Sequence, residues 1–212
     1  MLKRVVGSLL FSTLACGMLA AQDSGLKVAH TVRQGAVTPA QETSAALQTI
    51  YTDFGPTTTD YYNDTTGYYI LGPDNSVGDS EQAIGLPFTP KADAHVTQLQ
   101  GAIGYISGTS AVDIGLYSDA SGTPGTLLAS GHATKIPDFG ACCTVVSVTI
   151  TSTAVTAGTQ YWIVASSDTH GPDFTGVWQA SNLYNIAGNE ADSGWFTFSA
   201  NVPAGAAKGT VP

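Results

Sequence analysis

Val112, Ile114 and Leu116 alternate with Asp113, Gly115 and Tyr117. The run then enters Ser118-Asp119-Ala120-Ser121-Gly122-Thr123-Pro124-Gly125 and leaves it through Leu127-Leu128. Residues two apart share one face of a strand, whereas a helix needs apolar repeats of three and four. The spacing therefore predicts two strands joined by a Gly/Pro turn. This grammar recurs to the C-terminus and constrains the fold more than any other feature.

The same reading finds strands at Thr49-Ile50-Tyr51, at Tyr68 to Leu71, and from Pro87-Phe88-Thr89 into His95 to Ile106. Alternation slips near Gly101 and Gly104, which predicts a bulge. Val146, Val148 and Ile150 mark another strand. Tyr161, Ile163 and Ala165 mark the next, where Trp162 and Val164 make both faces apolar and predict a central position. Val177 to Ala180, Trp195 to Ala200 and Ala204 to Thr210 complete the set. Roughly eight to ten short strands without a long amphipathic helix predict an all-β antiparallel β-sandwich, jelly-roll-like, with a closed barrel as the alternative. Composition agrees: charged residues are 11% of the chain, against about 25% in ordinary soluble domains. Thr, Ser and Gly replace them, and Thr suits the pleated face of a sheet.

Residues 1–21 read as a secretory signal peptide, with Lys3 and Arg4 before the apolar run Val5 to Leu14 and small residues at Ala20 and Ala21. Such a run is shorter than a membrane span, and no later segment is apolar enough to be one. Thr13-Leu14-Ala15 before Cys16 fits a lipidated cysteine poorly. Residues 22–48 form a loose N-terminal arm with one strand expected at 26–33, and 49–212 form the sandwich domain. Without the signal, Lys27, Arg33, Lys91, Lys135 and Lys208 face 16 acidic residues. That balance argues against nucleic acid and anionic lipid as partners. A secreted address follows, extracellular or at the cell surface, with the periplasm as the alternative.

Thr49-Ile50-Tyr51-Thr52-Asp53-Phe54-Gly55-Pro56 opens the domain. Gln82-Ala83 with Pro87-Phe88-Thr89, Leu116-Tyr117-Ser118-Asp119 with Gly122-Thr123-Pro124-Gly125, Ala157-Gly158-Thr159-Gln160-Tyr161-Trp162, and Pro203-Ala204 with Gly209-Thr210 follow in order. Across residues 49–212 this resembles the choice-of-anchor domains of secreted bacterial proteins, type R above all. The resemblance implies a β-sandwich displayed outside the cell and brings no catalytic residues with it. Relatives often end in a sorting or membrane anchor. This chain reaches Pro212 directly after its last expected strand, so a released or non-covalently held protein is expected.

Secreted sandwiches commonly stack an aromatic ring on a sugar and bond its hydroxyls with Asn, Asp or Gln. Trp178-Gln179 and Tyr61-Tyr62-Asn63-Asp64 are the candidates for glycan binding, while Trp162 and Trp195 are expected in the core. Asp74, Asn75, Asp79 and Glu81 crowd one Gly-bounded loop. They are either Ca²⁺ ligands or a solvated acidic loop, and the spacing is not that of an EF-hand. Asp168, His170 and Asp173 share another loop. His30, His95 and His132 are isolated in the sequence. No nucleophile signature or carboxylate pair stands out, so a non-catalytic module for extracellular recognition or adhesion is expected. The alternative is a structural subunit of a filament or matrix, self-associating through the basic strand 26–33 and a sheet edge.

Adjacent Cys142 and Cys143 complete the inventory. Consecutive Cα atoms lie about 3.8 Å apart, closer than the usual disulfide span of about 4.4–6.8 Å. The oxidising exterior still favours a vicinal disulfide in a turn after Gly140-Ala141, with intermolecular pairing as the alternative. Alkylation of the unreduced, denatured protein followed by mass spectrometry should label neither cysteine; two labelled thiols would refute the pairing.

Overall fold

The computed structural model describes residues 46–54, 62–78, 80–141, 145–167, 170–191 and 194–212, without the side chains of 62–65, 184 and 191. The expected signal peptide, the 26–33 strand, Tyr61, Asp79, Cys142, Cys143 and Asp168 lie outside the described residues. Within them the chain forms β1 (Gln48–Thr52), β2 (Tyr62–Leu71), β3 (Ala83–Phe88), β4 (Ala94–Gly101), β5 (Ile103–Ser107) and β6 (Ala111–Asp119). It continues through β7 (Pro124–Thr134), β8 (Val146–Val155), β9 (Tyr161–Ser166), β10 (Thr175–Ala191), β11 (Gly194–Pro203) and β12 (Gly205–Thr210).

One sheet has the order β1-β12-β4-β8. The other runs β11-β10-β3-β9-β6-β7, with β2 and β5 also paired to β10. Every ladder between strands is antiparallel. Eight of the strands nest: β1 pairs β12, β3 pairs β9, β4 pairs β8 and β6 pairs β7. A ribbon folded on itself in that way, first strand with last and so inward, is a jelly roll. β2, β5, β10 and β11 are additions to it.

Alternation explains which faces are inside. In β8, Val146, Val148 and Ile150 are buried, while Ser147 and Thr149 are exposed. Ile114 and Leu116 of β6, Leu86 of β3 and Ile163 of β9 meet them in the core between the sheets. β9 is buried from Tyr161 to Ala165, as its two-sided apolar pattern predicts, and lies between β3 and β6. Its outward Trp162 and Val164 form a second cluster with Ala83, Tyr117 and Trp195. Paired glycines give that cluster its floor. Gly188 of β10 faces Gly85 of β3, and a Cβ at either would come within 3.1 Å of the Trp162 ring. The β6–β7 turn closes as its composition predicts: Asp119 accepts the Gly122 N–H at 3.2 and 3.1 Å, with Gly122 at φ 91°.

The irregularity expected near Gly101 is a corner, not a bulge. At Ala102 the chain leaves β4 in one sheet and enters β5 in the other. At Ala204 it crosses back, from β11 to β12. The two corners bond to each other, Ala102 N–H to Ala204 O at 3.0 Å. Both also bond to the β10 backbone: Gln179 N–H donates to Ala102 O at 2.8 Å and Ala204 N–H to Gln179 O at 2.9 Å.

Asp53 fixes the outer strand to this corner. Its carboxylate accepts the Gly205 N–H at 2.6 Å, and its own N–H donates to Gly205 O at 3.2 Å. Burial pushes the carboxyl up to about 7, against hydrogen bonds from Gly205 and Ser181 that pull it down. The folded chain therefore holds this proton more tightly than the unfolded chain does. The resulting stability is fully present below the ordinary value of 3.8 and is lost as pH rises through 7. The loss is on the order of 4 kcal/mol. Asp53→Asn keeps an oxygen for Gly205 and removes the charge. In urea denaturation it should be more stable than the parent at pH 8, and the difference should vanish or reverse at pH 4.

Candidate functional site

β10 changes partners midway. Residues from Thr175 to Ser181 lie between β2 and β5, and those from Tyr184 to Ala191 pair with β11. The ladder slips between Ala180 and Tyr184, where Ser181 Oγ accepts the Leu183 N–H at 3.1 Å. An irregularity of this kind re-aims the side chains that follow it. Here it places Leu183, Asn185 and Ile186 along one side of an open cleft of about 380 Å³. Tyr51, Pro87, Phe88 and Thr89 line it as well, together with Gly122, Gln160 and Trp162.

Aromatic packing stiffens one wall. The Tyr51 and Phe88 rings lie 5.4 Å apart, and Phe88 and Tyr161 lie 5.9 Å apart. Burial, and then the neighbouring Asp53 carboxylate, push the Tyr51 phenol far above its usual range, so it stays protonated. Asp119 holds the opposite side. One of its oxygens accepts Trp162 Nε1–H at 2.8 Å and Gln160 Nε2–H at 2.7 Å. Partial burial pushes this carboxyl up, but hydrogen bonds from Trp162, Gly122, Gln160 and Ser121 outweigh it and hold the group below the usual carboxylate range. One N–H of the Gln160 amide is thus spent on Asp119, which leaves the second N–H and the carbonyl oxygen for a ligand. Segments 116–119 and 157–162, far apart in the chain, meet at this hub.

Among the described residues that line it, none is acidic or basic. Leu183 and Ile186 are each nearly half exposed, and Thr89 and Asn185 are exposed. The cleft therefore offers ring and alkyl surface beside an amide carbonyl, a second amide and a hydroxyl. That combination of described residues suits a neutral, hydroxylated ligand.

Most residues singled out in the sequence lie elsewhere. Trp178 is fully buried: its Nε1–H donates to Ala204 O at 2.8 Å, and its ring lies against the Gly101–Gly205 pair. Enclosed in this way it has no face for a sugar, which corrects the expectation of a stacking platform. Gln179 beside it is buried too, with its backbone spent on the two corners. Tyr62, Asn63 and Asp64 lie in β2, with Tyr62 opposite Ser181. Trp162 is buried, as expected, and adds an edge to the cleft. Trp195 is half-buried beside it.

In the acidic loop, Asp74 and Glu81 are exposed. Asn75 organises the loop: its Oδ1 accepts the Val77 and Gly78 N–H groups at 3.0 and 2.7 Å, and its Nδ2 donates to Gly72 O and Ser80 O. An oxygen occupied by two backbone donors is poorly placed to bind Ca²⁺, so the Ca²⁺ expectation loses this ligand. Asp173 likewise accepts the Thr109 N–H at 2.9 Å, while His170 turns towards Asp113.

Sequence reading missed Leu183, Asn185 and Ile186 because the pattern after Ala180 is broken by Ser181 and Asn182. That break was the available signal, since it marks the irregularity. No family model, curated protein or solved structure matches the chain.

The buried role of Trp178 can be checked directly. Trp178→Ala removes a ring from a closed core and should cost about 3–5 kcal/mol. Trp178→Phe keeps most of the volume but leaves the Ala204 carbonyl one donor short, and should cost about 1–3 kcal/mol. Urea denaturation measures both.

Proposed function

We propose that this chain is a secreted, non-catalytic recognition module that holds a neutral glycan of the cell exterior in the cleft along β10. The uncharged lining carries the reading. A sugar presents C–H faces and hydroxyl edges, and it is matched by Tyr51, Leu183 and Ile186 beside Gln160, Asn185 and Thr89. The cleft volume of about 380 Å³ falls within the range of about 300–1,000 Å³ usual for small-ligand sites. The expected signal at residues 1–21 supplies the address, and the acidic, charge-poor composition accords with a partner that is not a polyanion.

Retention of the mature protein on a panel of immobilised neutral polysaccharides tests this. Asn185 is exposed in β10, so Asn185→Ala should fold normally. Loss of one neutral hydrogen bond predicts about fivefold weaker retention on the best polysaccharide. Raising the salt concentration should leave retention nearly unchanged, because none of the described lining residues is charged. Equal retention of parent and variant, or release by salt, would refute the reading.

A further inference from the structure

Asp113 in β6 lies directly opposite His132 in β7. Residues facing each other across an antiparallel ladder project from the same side of the sheet. On its other flank Asp113 pairs with Ser166, the last residue of β9, and the loop beyond brings His170 back over both. Three residues far apart in the chain thus converge. His170 Nδ1 lies 2.6 Å from Asp113 Oδ1, and the rings of His132 and His170 stack 4.2 Å apart at 11°. Ligand-capable atoms of all three lie within 4.8 Å of one another.

A second observation concerns the other carboxylate oxygen. Asp113 Oδ2 is buried with no hydrogen-bond partner. An anionic oxygen removed from water without a donor is costly unless a cation compensates it. Beside it lies a cavity of about 220 Å³, lined by Asp113 and His170 with Gly115, Tyr117, Leu127, Ser130 and Ser166. Gly115 keeps its floor low, since a Cβ there would come 2.7 Å from Tyr117 and 2.9 Å from Leu127.

The geometry points to a divalent transition-metal site of the zinc class, with Asp113, His132 and His170 as its ligands. Two imidazole nitrogens and one carboxylate suit Zn²⁺ and leave a fourth position open to the cavity. Ca²⁺ and Mg²⁺ require more oxygens than this set provides. The imidazoles are the adjustable members: His132 is exposed and the His170 side chain is 44% exposed, so both can turn to close the ligand spread. The ion takes the place of the hydrogen between His170 Nδ1 and Asp113 Oδ1, and the neutral ring then carries its N–H on Nε2. A chain of net charge −9 attracts cations to its surface. The site is separate from the β10 cleft and does not depend on what that cleft binds.

Calorimetric titration of the chelator-stripped mature chain with Zn²⁺ tests the assignment. One ion should bind per chain, and His132→Ala, His170→Ala and Asp113→Asn should each weaken it at least tenfold. The double variant Cys142→Ser/Cys143→Ser should keep the parent affinity. In imidazole nitrogen NMR spectra of the parent, Zn²⁺ should shift His132 and His170 and leave His95 in place, a readout that a fold defect in a variant does not affect. Binding unchanged by either histidine substitution, binding lost only with the cysteines, or unshifted His132 and His170 nitrogens would overturn it.

Discussion

Three backbone segments, at Ala102, Gln179 and Ala204, close a triangle of hydrogen bonds at the point where the chain twice changes sheet. Strands that cross between layers interrupt their ladders, and buried peptide groups at such corners need other partners. Here the corners satisfy each other and the middle of β10. The Trp178 indole adds a fourth tie, reaching from β10 to Ala204 O and covering the Gly101–Gly205 pair of the opposite sheet. Glycine is required there because a Cβ at Gly205 would come 2.8 Å from Leu86 and 2.9 Å from the Gln100 carbonyl. The layers are therefore held by hydrophobic area throughout and located by this junction.

From the junction β10 continues into the second half of its run, where it exchanges β2 and β5 for β11 and β3. The slip at that exchange presents Leu183, Asn185 and Ile186 to the cleft. The cleft is thus a product of topology: an inserted β10–β11 hairpin added to a nested eight-strand ribbon. The Asp113 cluster has a different origin, in the ribbon itself, where β6, β7 and the loop after β9 meet. One locus is neutral and the other carries a carboxylate and two imidazoles. They suit ligands of opposite chemistry on one sheet.

Local pattern made the all-β class, the β6–β7 hairpin, the faces of β8 and the central place of β9 legible. These depend on period-two burial and turn chemistry, both of which are written in short windows of sequence. The second half of β10 was not legible. Asn182, Asn185, Asn189 and Glu190 dilute its apolar face, and its strand state is set by β11 and β3 rather than by propensity. β3 was read only from Pro87, because Gly85 and Pro87 are poor strand residues taken alone. Trp178 reads as a surface aromatic in the sequence, but its ring is enclosed between the sheets against the Gly101–Gly205 pair. His132 looked solitary for a related reason: its neighbours, Asp113 and His170, are supplied by register and by a loop, and neither is visible without the ladder.

The pairing of β1 with β12 has a mechanical consequence. Gln48 opens β1 opposite Gly209, near the end of β12. Tension applied between these two ends pulls across the ladder, perpendicular to the strands and along its hydrogen bonds. Rungs then break in succession instead of sharing the load. The Asp53–Gly205 clasp lies at the far end of this zipper and is the last to open. A molecule tethered through both termini would yield by peeling at low force, whereas one held by a single terminus would keep its sandwich intact under the same traction.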